Sequence, residues 1–317
     1  MFNHDADKNT PKNLRILVAE DYEVNQKIAQ LILEKAGYQV DIVADGQQVL
    51  EACKQKSYDL ILMDIQMPVM DGHVATREIR AWELKAQGSK LRADDRGQKT
   101  ENRFQNTEKK GQRIEAQSEI RNLQSEIKRI PIIAMTGDAS EGGFDPQRYP
   151  GMNDCVCKPL QRAHLLSVIN RWTDPASSCT QDQRLMTEID PPVKKQGETN
   201  LPLDLDRAVD EFMGNKKILY AVLAEFIDQV GDQITVLREA GCRRDYRAIA
   251  SEGHRIKGGA ANLAARGLSL AASDLEKAAE SQKAEEICKL IERLEEEFSH
   301  LERFLRQKGL YSNLGKT

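Results

Sequence analysis

The chain has 317 residues, which at roughly 150 residues per domain predicts two domains and excludes a single small module. Its 46 basic and 50 acidic residues leave a net charge of -4, so the whole-chain balance gives no reason to expect nucleic acid or an anionic membrane as partner. The charge is uneven, however, with 12 Lys/Arg against 7 Asp/Glu between Leu84 and Ile130. The six cysteines (Cys53, Cys155, Cys157, Cys179, Cys242 and Cys288) form no CxxC pair. Cys155 and Cys157 project to one side of an apparent strand, so neither a disulfide framework nor a zinc site is expected. The polar start MFNHDADKNTPKN lacks a signal core, and no stretch approaches the ~20 apolar residues of a membrane span. A soluble, cytoplasmic chain with reduced thiols and no direct membrane insertion is the expectation.

Beyond a polar tail over 1–13, LRILVA (14–19) reads as a buried strand ending in Glu20 and Asp21. A helix follows, with Ile28, Leu31, Ile32 and Lys35 setting its period and Gly37 stopping it. QVDIVA is a second strand, Asp45-Gly46 a turn, and Val49 to Lys56 a second helix. DLILMD (59–64), apolar on both faces, suits the middle of a parallel sheet. A third helix carries Ala75, Ile79 and Trp82. Within 83–129 aliphatic residues then almost vanish before Ile114, and RGQKTEN, RFQNTEK and KGQRIEA repeat with a period of seven, while Ile120, Leu123 and Ile127 fall at helical spacing toward the end. A coiled coil needs apolar a and d positions, and these repeats place Lys, Thr, Asn and Gln there. The segment is expected to be a solvated low-complexity insert between the third helix and the fourth strand.

Alternation resumes with IPIIAM (130–135), a fourth helix expected over Ser140 to Tyr149 but shortened or broken by Pro146 and Pro150, the strand CVC (155–157), Lys158-Pro159 and a closing helix to Trp172. The 174–200 stretch, rich in Asp, Pro, Ser and Gln, reads as a linker. Afterwards four apolar stripes at helical spacing predict a bundle over 201–310: Leu219 to Leu237, Ile249 to Leu263, Leu268 to Ala279 and Ile287 to Leu305.

In an open parallel sheet function collects at the carboxyl ends of the strands. Reading those ends gives Glu20, Asp21, Asp64, Thr136 and Lys158. Carboxylates gathered so closely repel unless a cation joins them, and an oxygen-only donor set suits Mg²⁺ better than zinc. Acids at strand ends can merely cap helices, but five such positions together with a Lys-Pro bond point to phosphoryl chemistry.

With LRILVAED (14–21), Asn25, DLILMDIQMPVMDG (59–72), IIAMTG (132–137) and GMNDCVCKPL (151–160), the region 14–173 resembles the receiver domain of two-component response regulators. The resemblance implies a flavodoxin-like α/β fold with a five-stranded parallel sheet of order 2-1-3-4-5, and a phosphorylated Asp64. It also implies Mg²⁺ held by Glu20, Asp21, Asp64 and the main-chain carbonyl of Gln66, phosphoryl oxygens met by Lys158 and Thr136, and a cis bond before Pro159. Two positions depart from the pattern: Cys155 stands where a switch aromatic is usual, and Gly137 where alanine is usual.

In the helical region, His254 lies about 160° around the helix from Ile256 and is therefore expected to be a surface side chain. Lys257 follows one turn on, and Gly258 removes a side chain from the histidine's side, which suits a close-approaching partner. HRIKGGAANL with GNKKILYAVLAEF (214–226) resembles a histidine-containing phosphotransfer (HPt) domain, with Ala264 in place of one family glycine. The resemblance implies an all-α bundle, phosphorylation of His254 and electrostatic support from Lys257. Neither a P-loop nor the boxes of a sensor-kinase catalytic domain occurs. The expectation is a phosphorelay protein rather than an ATP-using enzyme, its chemistry limited to Mg²⁺-dependent self-phosphorylation and slow self-dephosphorylation. It would receive a phosphoryl group on Asp64 from an upstream sensor histidine kinase and relay it through His254 to or from another receiver. Two alternatives are a binding switch with the bundle as docking module, and the detached C-terminal part of a hybrid sensor kinase.

Overall fold

The computed structural model describes residues 14–94, 129–137, 144–173 and 201–310. The expected tail over 1–13, the linker over 174–200 and most of the expected insert lie outside the described residues.

Five short strands, β1 (Arg15–Ala19), β2 (Gln39–Val43), β3 (Leu60–Asp64), β4 (Ile132–Thr136) and β5 (Asp154–Cys157), pair in parallel in the order β2-β1-β3-β4-β5. The register aligns Ala19 with Met63, Asp64 with Met135 and Thr136 with Cys157, so the chemistry-bearing residues emerge in one row along the carboxyl edge. Side chains alternate across the sheet. Ile16, Val18, Leu60, Leu62, Ile133 and Met135 pack against α1 (Glu23–Lys35) and α4 (Arg162–Thr173), while Leu17, Ala19, Ile61, Met63, Ile132 and Ala134 pack against α2 (Gly46–Gln55) and α3 (Gly72–Asp94).

One expectation is corrected here and another agrees with the structure. α3 runs on through Asp94, well past residue 83 where the insert was expected to begin; the polar stretch still contains good helix formers, and propensity carries the helix where apolar periodicity has stopped. The base of this excursion is clamped by Arg80, whose guanidinium donates to Glu83, to the Ile130 and Gly151 carbonyls and to Asn153 Oδ1. Around the expected fourth helix, described residues 144–150 form turns rather than helix, as Pro146 and Pro150 dictate.

The second unit contains a short α5 (Leu205–Glu211), then α6 (Lys216–Arg243), α7 (Tyr246–Asn262), α8 (Arg266–Glu280) and α9 (Ala284–Gln307). Asp204, Asn215 and Asp245 each cap a following helix by accepting from a backbone N–H in its first turn. The predicted stripes are the buried faces, with Leu290 and Phe298 half-buried at the margin.

The two units share one hydrophobic core. Buried side chains run from the α1 face of the sheet through Tyr22 to Phe226 and the rest of the bundle, with the Tyr22 and Phe226 rings edge to face at 6.4 Å between centroids. α1 packs on both α6 and α7. The contact depends on small residues: a Cβ on Gly259 would lie 2.5 Å from Tyr22 Cε1 and 2.8 Å from Phe226 Cε2, and one on Gly258 would lie 3.2 Å from Asn25 Nδ2. The partner that Gly258 was expected to admit is this chain's own α1.

Candidate functional site

Asp64 closes β3, is 1% exposed, and sits beside Glu20 and Asp21 of the loop after β1. Oxygen atoms of these three carboxylates lie within 4.8 Å of one another. Lys158, which follows β5 and precedes a cis peptide bond to Pro159, reaches back to place Nζ 2.6 Å from Asp64 Oδ2 and 2.7 Å from Glu20 Oε2. Burial alone would lower the lysine's affinity for its proton; the two carboxylates overcome that and raise it, so the ammonium stays charged. For Asp64, burial is the largest influence and pushes its pKa up to about 7, with Lys158 pulling the other way and Glu20 adding to the rise. Asp21 is likewise raised, by burial first.

The donor set fits a hard divalent cation. It consists wholly of carboxylate oxygens, and Glu20 Oε2 is buried without a well-directed hydrogen bond, the ammonium beside it supplying charge but not geometry. Glu20 Oε1 accepts from Asn25 Nδ2 at 2.9 Å, Asn25 Oδ1 accepts from Asn262 Nδ2 at 2.8 Å, and Asn262 Oδ1 accepts the Leu160 N–H at 2.9 Å. This buried amide chain ties the acidic cluster of one unit to the end of α7 in the other.

Gln66 lies two residues past β3, and its N–H donates to Asp64 Oδ1 at 3.3 Å. Thr136 ends β4, and its Oγ1 is 3.3 Å from the hydroxyl of Tyr149, which is buried and stacked between His73 and Phe144. Cys155 is half-buried, and burial pushes its thiol up to about 11, as a structural rather than reactive cysteine. Gly137 is a close-approach position: a Cβ there would lie 3.3 Å from Lys257 Nζ.

His254 occupies the middle of α7 and faces this edge. Its side chain is only 13% exposed, which corrects the expectation of a surface histidine; the face opposite the bundle core is covered by the α/β unit and by α8. Glu276 of α8 holds both members of the motif, with Oε1 2.7 Å from His254 Nδ1 and Oε2 2.6 Å from Lys257 Nζ. Burial would raise the Glu276 carboxyl, but the hydrogen bonds and charges of His254 and Lys257 hold it below its ordinary range, so it is ionised and accepts. In the neutral imidazole an ionised Glu276 accepts from Nδ1–H, the tautomer that leaves the lone pair on Nε2. Asp64, Thr136, His254, Lys257 and Glu276 line one cavity of about 290 Å³.

Sequence reading missed Glu276, Arg255 and Tyr149. Glu276 could have been found as a carboxylate four residues after Ala272 on the apolar stripe of α8, where a buried acid needs a partner. Arg255 and Tyr149 gave no comparable signal, because their roles exist only in tertiary contacts.

A family model described as response regulator receiver domain matches residues 16–88, and one described as Hpt domain matches 221–304. The chain thus contains a response regulator receiver domain followed by an Hpt domain. Domains of these two families are carriers of two-component phosphorelay signalling. It is 26% identical over 249 residues to the sensor protein GacS of Pseudomonas syringae pv. syringae, covering 77% of this chain and 22% of that protein. It is also 26% identical over 289 residues to the aerobic respiration control sensor protein ArcB of Escherichia coli K12, covering 90% of this chain and 31% of that protein. The chain thus spans less than a third of either relative. Among solved structures, the receiver domain of a sensor histidine kinase from Pseudomonas aeruginosa PAO1, with magnesium in its active-site cleft, is 32% identical; the match covers 51% of this chain and 98% of that one, with a TM-score of 0.33. No helix among the described residues is long and apolar enough to cross a membrane.

Proposed function

We propose that the chain relays a phosphoryl group from an upstream sensor histidine kinase to Asp64, from Asp64 to His254, and from His254 to the receiver domain of another two-component protein, in the cytoplasm. We assign 14–173 to the receiver domain, 174–200 to the linker and 201–310 to the Hpt domain. The observation that carries the reading is the single cavity lined by both Asp64 and His254.

In the first step an Asp64 oxygen attacks the donor's phosphorus; the P–N bond breaks and its electron pair returns to the donor imidazole. In the second step His254 Nε2 attacks the same phosphorus in line, the P–O bond to Asp64 breaks, and the carboxylate recovers its charge. No proton has to leave Nε2, because Glu276 keeps the imidazole proton on Nδ1. The cationic phosphoimidazole so formed is offset by the Glu276 carboxylate, and Lys257 meets the phosphoryl oxygens. Lys158 and Thr136 hold the oxygens while the group is on Asp64. Glu20, Asp21, Asp64 and the Gln66 carbonyl would hold Mg²⁺, which when bound supplies further neutralisation of the phosphoryl charge.

Incubating the full chain with a small acyl phosphate donor should give a base-labile label on Asp64 and then an acid-labile, base-stable label on His254. Asp64→Asn should abolish both. Label on His254 that survives Asp64→Asn would contradict the order. A second reading is favoured by the sensor-protein relatives: the chain corresponds to the receiver and Hpt part of a hybrid sensor kinase. Transfer from a purified stand-alone histidine kinase at a rate comparable to the onward step supports the first reading over the second.

A further inference from the structure

One of the two basic groups that engage the acidic cluster does not come from the receiver domain. Arg255, one residue after His254, donates from Nε to Asp21 Oδ2 at 2.7 Å, while its Nη1 donates to Glu252 Oε1 at 2.9 Å. Both side chains are largely withdrawn from solvent, Asp21 to 6% and Arg255 to 25% exposure. With Lys158 on Glu20 and Asp64, each carboxylate of the cluster is engaged by a cation of the chain, and the one on Asp21 belongs to the Hpt domain.

A divalent ion entering the cluster meets Arg255 across a shared carboxylate. Two cations on one carboxylate oppose each other, and in a site this buried the opposition is weakly screened. The coupling is reciprocal: the factor by which Arg255 weakens the ion is the factor by which the ion weakens seating of the Hpt domain on α1. A phosphoryl group on Asp64 changes the balance, because it replaces a carboxylate with a group of greater negative charge that accommodates both cations.

Resting on the reading of the cluster as a divalent-cation site, we infer that Arg255 is a charge-reading latch. It seats the Hpt domain on the metal-free receiver, opposes seating on the metal-loaded unphosphorylated receiver, and permits seating again once Asp64 is phosphorylated. Arg255 is thus a positioning residue that makes the approach of His254 depend on the charge state of Asp64. The acidic cluster, the histidine's helix and the amide chain through Asn262 form the linkage.

Two readouts on the full chain test this without relying on transfer to His254. Free Mn²⁺ followed by electron paramagnetic resonance gives cation affinity, and hydrogen exchange at the Leu160 amide, which donates across the interface to Asn262, gives seating. Arg255→Gln should tighten Mn²⁺ about tenfold and abolish the effect of metal on Leu160 exchange. In the wild type, Mg²⁺ should speed that exchange about tenfold, and in the His254→Gln chain, which keeps the phosphoryl group on Asp64, adding a small acyl phosphate to the Mg²⁺-loaded protein should restore protection. Arg255→Lys, which keeps the charge, should stay near wild type in both. Equal Mn²⁺ affinity in wild type and Arg255→Gln would overturn the latch while leaving the cation site standing. Gln-like behaviour of Arg255→Lys would overturn it as a charge effect. Failure of the wild type to bind Mn²⁺ would remove the cation site and the latch with it.

Discussion

Asp64 is held by a buried ammonium and His254 by a carboxylate hydrogen bond, and the two sites are built in different ways. The Asp64 site is made by strand ends: parallel pairing delivers Glu20, Asp64, Thr136 and Lys158 to one edge, and burial of Glu20 and Asp64 is compensated from within the same domain by Lys158. The His254 site is made by two helices and is completed only when the receiver covers it, with Gly137, Gly258 and Gly259 providing the room. One site is a property of a domain, the other of a contact. Disturbing the first should therefore cost stability, and disturbing the second should cost seating.

The largest effect is expected at Lys158. Lys158→Met leaves Glu20 and Asp64 buried without their cation and should destabilise the receiver by about 3–5 kcal/mol. Both tryptophans, Trp82 and Trp172, lie in the receiver, so urea unfolding followed by their fluorescence isolates that domain. A loss below 1 kcal/mol would mean that the site is not held as described. Next comes Gly259→Ala, whose Cβ has no room beside Tyr22 and Phe226 and should cost about 1–3 kcal/mol of packing. Leu160 amide exchange should rise at least tenfold while the tryptophan transition moves little; an unchanged exchange rate would detach Gly259 from the contact.

The smallest effect is expected at Glu276. Because its folded-state pKa is depressed below 4.5, the stability it contributes is fully present above that pH and is lost as pH falls through the folded value. Glu276→Gln should flatten that acid limb in denaturant titrations as pH falls below the ordinary carboxylate range, and should slow transfer to His254 about tenfold by loosening the imidazole's tautomer. A retained acid limb would assign it to other carboxylates.

This contrast also explains what the sequence made legible. The strands, the edge residues and the apolar stripes follow from local pattern, because a strand end or a helical face is written in consecutive residues, whereas the sheet order came with the resemblance to receiver domains. Glu276 and Arg255 are not, since the partners of each become neighbours only through the packing of α7 on α8 and of α7 on the receiver. The exposure of His254 was misread for the same reason: its helical position gives the face but not what covers it. Tyr149 is not legible from the strand position of Cys155, because the aromatic hydroxyl that meets Thr136 arrives from the turns before β5.

The central claim, that Asp64 and His254 of one chain face each other for transfer, is tested most directly by the concentration dependence of that step. After a pulse of acyl phosphate and removal of the donor, the rate at which base-labile label becomes base-stable should be independent of protein concentration over about a hundredfold range, as an intramolecular step held at high effective concentration requires. A rate that rises in proportion to concentration, with Asp64→Asn and His254→Gln chains restoring transfer when mixed as fast as the wild type, would contradict it.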